Sequence, residues 1–247
     1  MLVFISDLHF TDGTAGESIN PRIFKVFRER LRDMVYDASW RTDKKYNPIK
    51  HVDLVLLGDI FDPIRSKKWI DGTIKPWGDY NSREFQDKVQ NITDEIINHN
   101  REALGYLKSF KDPEEMTLPE AINGSPRNVR REPKAEGRIP FTINIHYVSG
   151  NHDWFYHLEG SKYDEIRNTI IDAMGLTNVP EKPFFYQPYE SDILDEIYRQ
   201  HEVVARHGDR FDPYNFDEDR NASSLGDAIV TELINRFPLE VEKQMKG

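Results

Sequence analysis

Four short apolar runs, each cut off by a cluster of polar residues, constrain this chain more than any other feature: LVFIS before Asp7, VDLVLL before Gly58, FTINIHYVS before Gly150 and EVVAR before His207. Runs of this length, rich in Val and Ile, fit buried strands better than helices. Helical spacing fills the segments between them. Asn20 and Pro21 offer an N-cap and a first-turn proline ahead of Ile23, Phe27, Leu31, Met34 and Val35 on one face. Phe85, Val89, Ile92, Ile96 and Leu104 predict a second, long helix, and Tyr163, Ile166, Ile170 and Met174 a third, with Gly175 placed to end it. Ser224 is expected to cap a fourth, containing Leu225, Ile229, Leu233 and Ile234, which Pro238 would close. Strands alternating with helices argue for an α/β domain with much parallel pairing.

At 247 residues the chain is long enough to bury a substantial core, and residues 1–247 are expected to form one domain. Two stretches, 65–82 and 111–139, show neither period and read as insertions. Trp69 and Trp77 make the first the better candidate for a cap that faces a substrate. The chain has no cysteine, which rules out disulfides, thiolate metal sites and a cysteine nucleophile and leaves metal ligation to His, Asp, Glu and Asn. With 33 basic against 43 acidic residues the net charge is -10, and no extended nucleic-acid surface is expected. The N-terminal MLVFISDLHF lacks a basic region and a long apolar stretch, and no run approaches a membrane span, so the expected location is cytoplasmic. Oligomeric state has no signature. A Walker loop, a G-x-S-x-G elbow and a Rossmann fingerprint are all missing.

Each apolar run ends in side chains competent to bind metal: Asp7-Leu8-His9, Gly58-Asp59-Ile60-Phe61-Asp62, Gly150-Asn151-His152-Asp153 and His207-Gly208-Asp209. Taken singly, each has an ordinary explanation, since Gly, Asn and Asp are turn residues. In an α/β sheet, however, the carboxyl ends of the strands form the ligand crevice, where groups far apart in sequence converge. Four such clusters in order are much harder to assign to turns alone.

This set resembles the calcineurin-like metallophosphoesterases, whose signature runs D-x-H, G-D-x-x-D, G-N-H-[DE], a later His and a final G-H-x-H. The resemblance spans residues 7 to 209. It implies a four-layer αββα sandwich of two mixed β-sheets flanked by helices, with two divalent metal ions, Mn, Fe, Zn or Co. Asp7 and His9 match ligands of the first metal, Asp59 the bridging carboxylate, and Asn151 and His207 ligands of the second. His152 would face the substrate and Asp153 would orient it, while Asp62 and Asp209 are expected as acceptors supporting the ligands. The implied reaction is hydrolysis of a phosphomonoester, phosphodiester or pyrophosphate by in-line attack of a metal-bound hydroxide. A phosphorylated small molecule or a nucleotide-type compound would be the substrate. His152 would stabilise charge on phosphorus or protonate the leaving group.

The final G-H-x-H is absent, because no histidine follows His207. An N-terminal portion of a longer protein is the favoured explanation, and a non-catalytic interaction scaffold of the same fold is the alternative. A nuclease-type subunit is a third reading, disfavoured by the acidic net charge. The stretch RHGDRFDPYNFDEDR, residues 206–220, is loosely similar to the branch that includes UDP-diacylglucosamine pyrophosphohydrolases. Within it Arg206 or Arg210 is a candidate phosphate partner, and Asp212, Tyr214 and Asn215 suit a turn.

Overall fold

The computed structural model describes all residues except 71, 129–131 and 247. Three of the four apolar runs are strands. β1 (Leu2–Ile5), β2 (His51–Leu57) and β7 (Thr142–Val148) form a parallel sheet in the order β1-β2-β7. Ile5 pairs with Leu56 and Leu57 with Val148, so all three strands stop at one edge of the sheet. This common edge is what brings their polar ends together.

Side-chain alternation splits the sheet into two apolar faces. Val3, Val52, Leu54, Leu56, Ile143, Ile145 and Tyr147 pack into the main core with the helices α1 (Arg22–Ala38), α2 (Arg83–His99), α3 (Arg101–Lys108) and α4 (Ser161–Met174). On the opposite face Val55 and Val148 meet Leu194 and Tyr198 of α5 (Asp192–Gln200). Asp53 also lies on that face, its carboxylate accepting from His146 Nε2 at 3.0 Å and facing His51 Nε2 at 3.1 Å.

Several expectations are corrected in detail. Phe24, Leu31 and Val35 are the buried residues of α1, with Phe27 and Tyr36 packed beside them, while Ile23 and Met34 face solvent at the margins of the stripe. The second helix breaks at Asn100, whose side-chain amide turns inward to donate to Thr11 O and Ile96 O, so Leu104 belongs to α3. Tyr163, Ile166, Ile170 and Met174 are buried as expected, with Gly175 left-handed at φ 68°. Ser224 does cap a helix, but α6 (Leu225–Ile229) runs into a π-helical turn, Val230–Ile234, and Pro238 lies inside the next helix, α7 (Phe237–Lys246), near its start.

The stretch EVVAR is not a strand. Residues 203–207 have no regular secondary structure and no ladder, and Val204 is 78% exposed while Val203 and Ala205 pack on the α5 side. Alternation without a pairing partner gives the pattern of a strand and none of its hydrogen bonds.

The two proposed insertions also take shape. Trp69 is fully buried, stacked on Phe155 at 5.7 Å with Nε1 donating to Pro63 O, which makes it a core anchor and no part of a cap. Trp77 is exposed. Within 111–139, β3 (Thr117–Pro119) pairs with β6 (Arg138–Pro140), and β4 (Ala121–Ile122) with β5 (Ser125–Pro126), in two-stranded antiparallel sheets. The architecture among the described residues is mixed α/β, with one three-stranded parallel sheet and these two small ones. No helix among them is long and apolar enough to cross a membrane.

Candidate metal centre

Past the strand ends, the loops after β1 and β2 continue to pair. Asp7 N donates to Gly58 O, His9 N to Asp59 O and Phe10 N to Ile60 O, while Asp62 N returns to Phe10 O. Holding this register places Asp7, His9 and Asp59 in the left-handed region, at φ 55°, 47° and 52°. For residues with a Cβ such backbone costs about 1–3 kcal/mol each and persists where the surroundings over-determine it. Here the inter-loop ladder does so.

The candidate ligands meet around Asp59, which is 3% exposed. On one side His9 Nε2 lies 3.9 Å from both Asp59 Oδ2 and Asp7 Oδ1, and the three donor atoms fall within 4.8 Å of one another. On the other side His207 Nε2 lies 3.3 Å from the same Asp59 Oδ2 and 3.0 Å from Asn151 Oδ1. One carboxylate oxygen is therefore shared by two imidazoles, each with an oxygen ligand beside it.

Both imidazoles are held in the same sense. His9 Nδ1 donates to Asp62 Oδ2 at 2.9 Å and His207 Nδ1 to Leu57 O at 3.1 Å, which turns each Nε2 towards Asp59. Metal-binding histidines are commonly fixed this way, with the second ring nitrogen on a carboxylate or carbonyl. Two glycines make the approach possible. A Cβ on Gly150 would meet Asp59 Oδ1 and come within 2.8 Å of His207 Nε2, and one on Gly58, already at φ 83°, would run into the His207 ring. The donor set of imidazole, carboxylate and amide oxygen fits a hard or borderline divalent cation.

Asp62 supports His9 as expected and also takes the role expected of Asp153. His152 Nδ1 donates to Asp62 Oδ1 at 2.8 Å, so Asp62 orients both His152 and His9, whose rings meet edge to face at 5.0 Å. Asp153 is fully buried and turned away from His152: it accepts from Tyr147 Oη at 2.6 Å, Ile60 N at 3.0 Å and Gly150 N at 2.5 Å. It staples the turn after β7 to the loop after β2. His152 N in turn donates to Asp59 Oδ1 at 2.9 Å.

The field of this cluster favours positive charge. Burial opposes ionisation of His152, but Asp62 and Asp59 outweigh it and push its pKa up to about 10. Burial likewise opposes the His207 cation, yet Asp59 brings it up to about 9. The hydrogen bond to Asp62 raises His9 as well. Asp62 itself, though burial acts against its charge, is held down to about 2 by the two histidines. Asp153 is driven the other way, up to about 7, by burial and then by Asp59.

Asp209 lies beside the cluster without touching a ligand nitrogen, ion-paired to Arg220. It shares a small cavity with Asn151, Trp154, Tyr186, Phe216 and Asp227. Arg206 and Arg210 are exposed. The Asp212 turn forms, with Asp212 Oδ1 accepting from Tyr214 N at 2.9 Å. Sequence reasoning missed Arg220, whose only signal was its place in an acidic stretch, and gave to Asp153 the orienting of His152 that Asp62 performs, while Asp62 also supports His9 as expected.

Compared with protein-family models, with curated proteins and with solved structures, the chain matches none. The likeness to metallophosphoesterases rests on the residues just described.

Proposed function

We propose that the chain is a metal-dependent phosphoric ester hydrolase, acting on a phosphomonoester, phosphodiester or pyrophosphate bond of a phosphorylated small molecule or nucleotide-type substrate. The observation that carries the reading is the shared Asp59 Oδ2, with His9 Nε2 and Asp7 on one side and His207 Nε2 and Asn151 on the other. Asp7, His9 and Asp59 would hold one divalent cation, and Asp59, Asn151 and His207 a second, drawn from Mn, Fe, Zn or Co. Cations bound in such a pair polarise a phosphoryl group and lower the pKa of water.

The chain's own groups supply the rest. His152, kept cationic by Asp62, would offer a hydrogen bond to a phosphoryl oxygen or a proton to the leaving oxygen. Asp62 fixes its ring, and Asp153 fixes the turn that carries it. A cytoplasmic location and a four-layer sandwich, of which β1-β2-β7 would form part of one sheet, belong to the same proposal.

The test is elemental analysis of protein grown with added manganese, with hydrolysis of p-nitrophenyl phosphate and bis(p-nitrophenyl) phosphate, for the parent and Asp59→Asn. The expected result is about two metals per chain, with metal and turnover both lost in the variant. Parental turnover by a metal-free variant would overturn the reading.

A further inference from the structure

His207 raises a mechanical problem. It is the one candidate ligand delivered by a segment outside the sheet, since residues 203–207 have no ladder, and ligands on loops are held less rigidly than those on strands or helices. Its ring bond to Leu57 O orients the imidazole but does not anchor the backbone that follows.

The anchor lies two residues on. Asp209 is buried, and its Oδ2 is ion-paired to Arg220 Nη1. The Arg220 guanidinium sits between two aromatic rings, 4.4 Å from the centroid of Tyr186 and 4.5 Å from that of Phe216. Tyr186 Oη donates to Arg220 O at 3.1 Å, so main chain and side chain grip the same ring. Tyr186 is tied to the sheet through its neighbour Phe185, whose carbonyl accepts from Ser149 N at 2.7 Å just past the end of β7. A second tie comes from Asp227, which caps α6 and accepts from Trp154 Nε1 at 3.1 Å, two residues beyond His152.

We propose that Arg220 is a positioning residue for the Asn151 and His207 side of the centre, locking the His207 loop to the end of β7 through Asp209 and Tyr186. This deepens the metal-binding reading and rests on it for its functional consequence. Three features distinguish the contact from an ordinary surface pair. Its carboxylate is buried, its cation is held planar between two rings, and Asp209, Arg220 and Asn151 line one cavity. Removing the guanidinium would leave Asp209 as an uncompensated buried carboxylate beside the site, which destabilises the present position of its loop. A lysine would keep the charge but not the planar stacking.

The experiment uses the full chain as parent, Arg220→Met, Arg220→Lys and, as a control, Arg199→Met, which removes an ion pair of Asp195 in which the arginine is exposed. Manganese binding is followed by calorimetry, and hydrogen exchange of the metal-free proteins is followed by mass spectrometry over residues 202–211 and 51–57. The expected result is that Arg220→Met weakens one of two binding steps about tenfold or more and speeds exchange over 202–211 while 51–57 stays protected. Arg220→Lys should recover part of both effects, and Arg199→Met should match the parent. Parental manganese binding and exchange in Arg220→Met would overturn the inference, as would loss of protection throughout both segments in Arg220→Met and Arg220→Lys alike. If the parent itself binds no manganese, the proposed function fails. Exchange then decides the clamp alone: faster exchange confined to 202–211 upholds it, and unchanged exchange rejects it.

Discussion

Replacing Gly150 with alanine tests the centre without removing any of its chemical groups. The residue does not occupy a left-handed conformation, so alanine carries no backbone penalty there, and the whole effect is steric. A Cβ would meet Asp59 Oδ1, lie 2.6 Å from Asp59 N and 2.8 Å from His207 Nε2, against ordinary contacts that begin at 3.4 Å. Relief therefore demands that Asp59 and His207 withdraw by about half an ångström or more. Overpacking of this kind costs about 1–3 kcal/mol, and a displacement of about 1 Å at a reacting centre costs about 100-fold in rate. We expect Gly150→Ala to unfold at lower temperature by that margin and to bind manganese at least about tenfold more weakly. The control is Gly105→Ala in α3, where a Cβ meets nothing within 4 Å. That variant should gain about 0.5–1 kcal/mol, as a helical glycine replaced by alanine does, and bind metal like the parent. Calorimetric titration with manganese and thermal unfolding measure both. Parental manganese affinity in Gly150→Ala would refute the placement of Asp59 and His207 in a common site.

Three further outcomes follow from the same geometry. Asp62→Asn keeps one acceptor oxygen but must turn an amide N–H towards either His9 or His152, so kcat should fall about 10- to 100-fold with weaker metal binding, whereas Asp153→Asn should show its cost mainly in melting temperature; equal kinetic losses in the two would contradict the reassignment. Because the His207 pKa is pushed up to about 9, a cation must displace a proton at neutral pH, and apparent manganese affinity should rise about tenfold per pH unit between pH 6 and 8; a flat profile by calorimetry would count against His207 as a ligand. Burial drives Asp227 from the ordinary 3.8 up to about 6, so its contribution to stability is most favourable below pH 3.8 and is lost as pH rises through 6. Asp227→Asn retains an acceptor for Trp154, and in urea titrations it should gain on the parent by up to about 3 kcal/mol over that window; no change in the difference with pH would refute the shift.

How far the sequence revealed this arrangement depends on the reach of each interaction. Residues 7–9, 59–62 and 150–153 were legible because a parallel sheet aligns strand ends, and strand ends can be read from where apolar runs stop. EVVAR misled because alternation reports which side is covered and not whether a neighbouring strand exists. The pairing of His152 with Asp62 instead of Asp153 was hidden for a related reason. In the turn after β7, Asp153 folds back onto Tyr147 and Ile60, while the partner of His152 comes from 90 residues away. Likewise the apolar residues Leu225, Ile229 and Leu233 gave a correct helical signal but not their burial, since all three remain exposed.

Two physical signals meet at Asp59. The first is mechanical: Asp7, His9 and Asp59 are in left-handed backbone, which costs more for a residue with a Cβ than for glycine. The second is electrostatic: Asp59 and Asp62 are buried carboxylates whose charges are balanced only if the histidines beside them carry protons. A salt-bridged core could explain the second signal, because buried ion pairs perturb pKa values without catalysing anything. The left-handed backbone has a separate source in the ladder between the loops after β1 and β2. Strain and buried charge coincide at Asp59, and under the proposed function a cation there would answer the charge while the inter-loop ladder holds the backbone. That cation would take the place of the protons on His9 and His207 and use ligand atoms that the loops after β1 and β2 bring within reach.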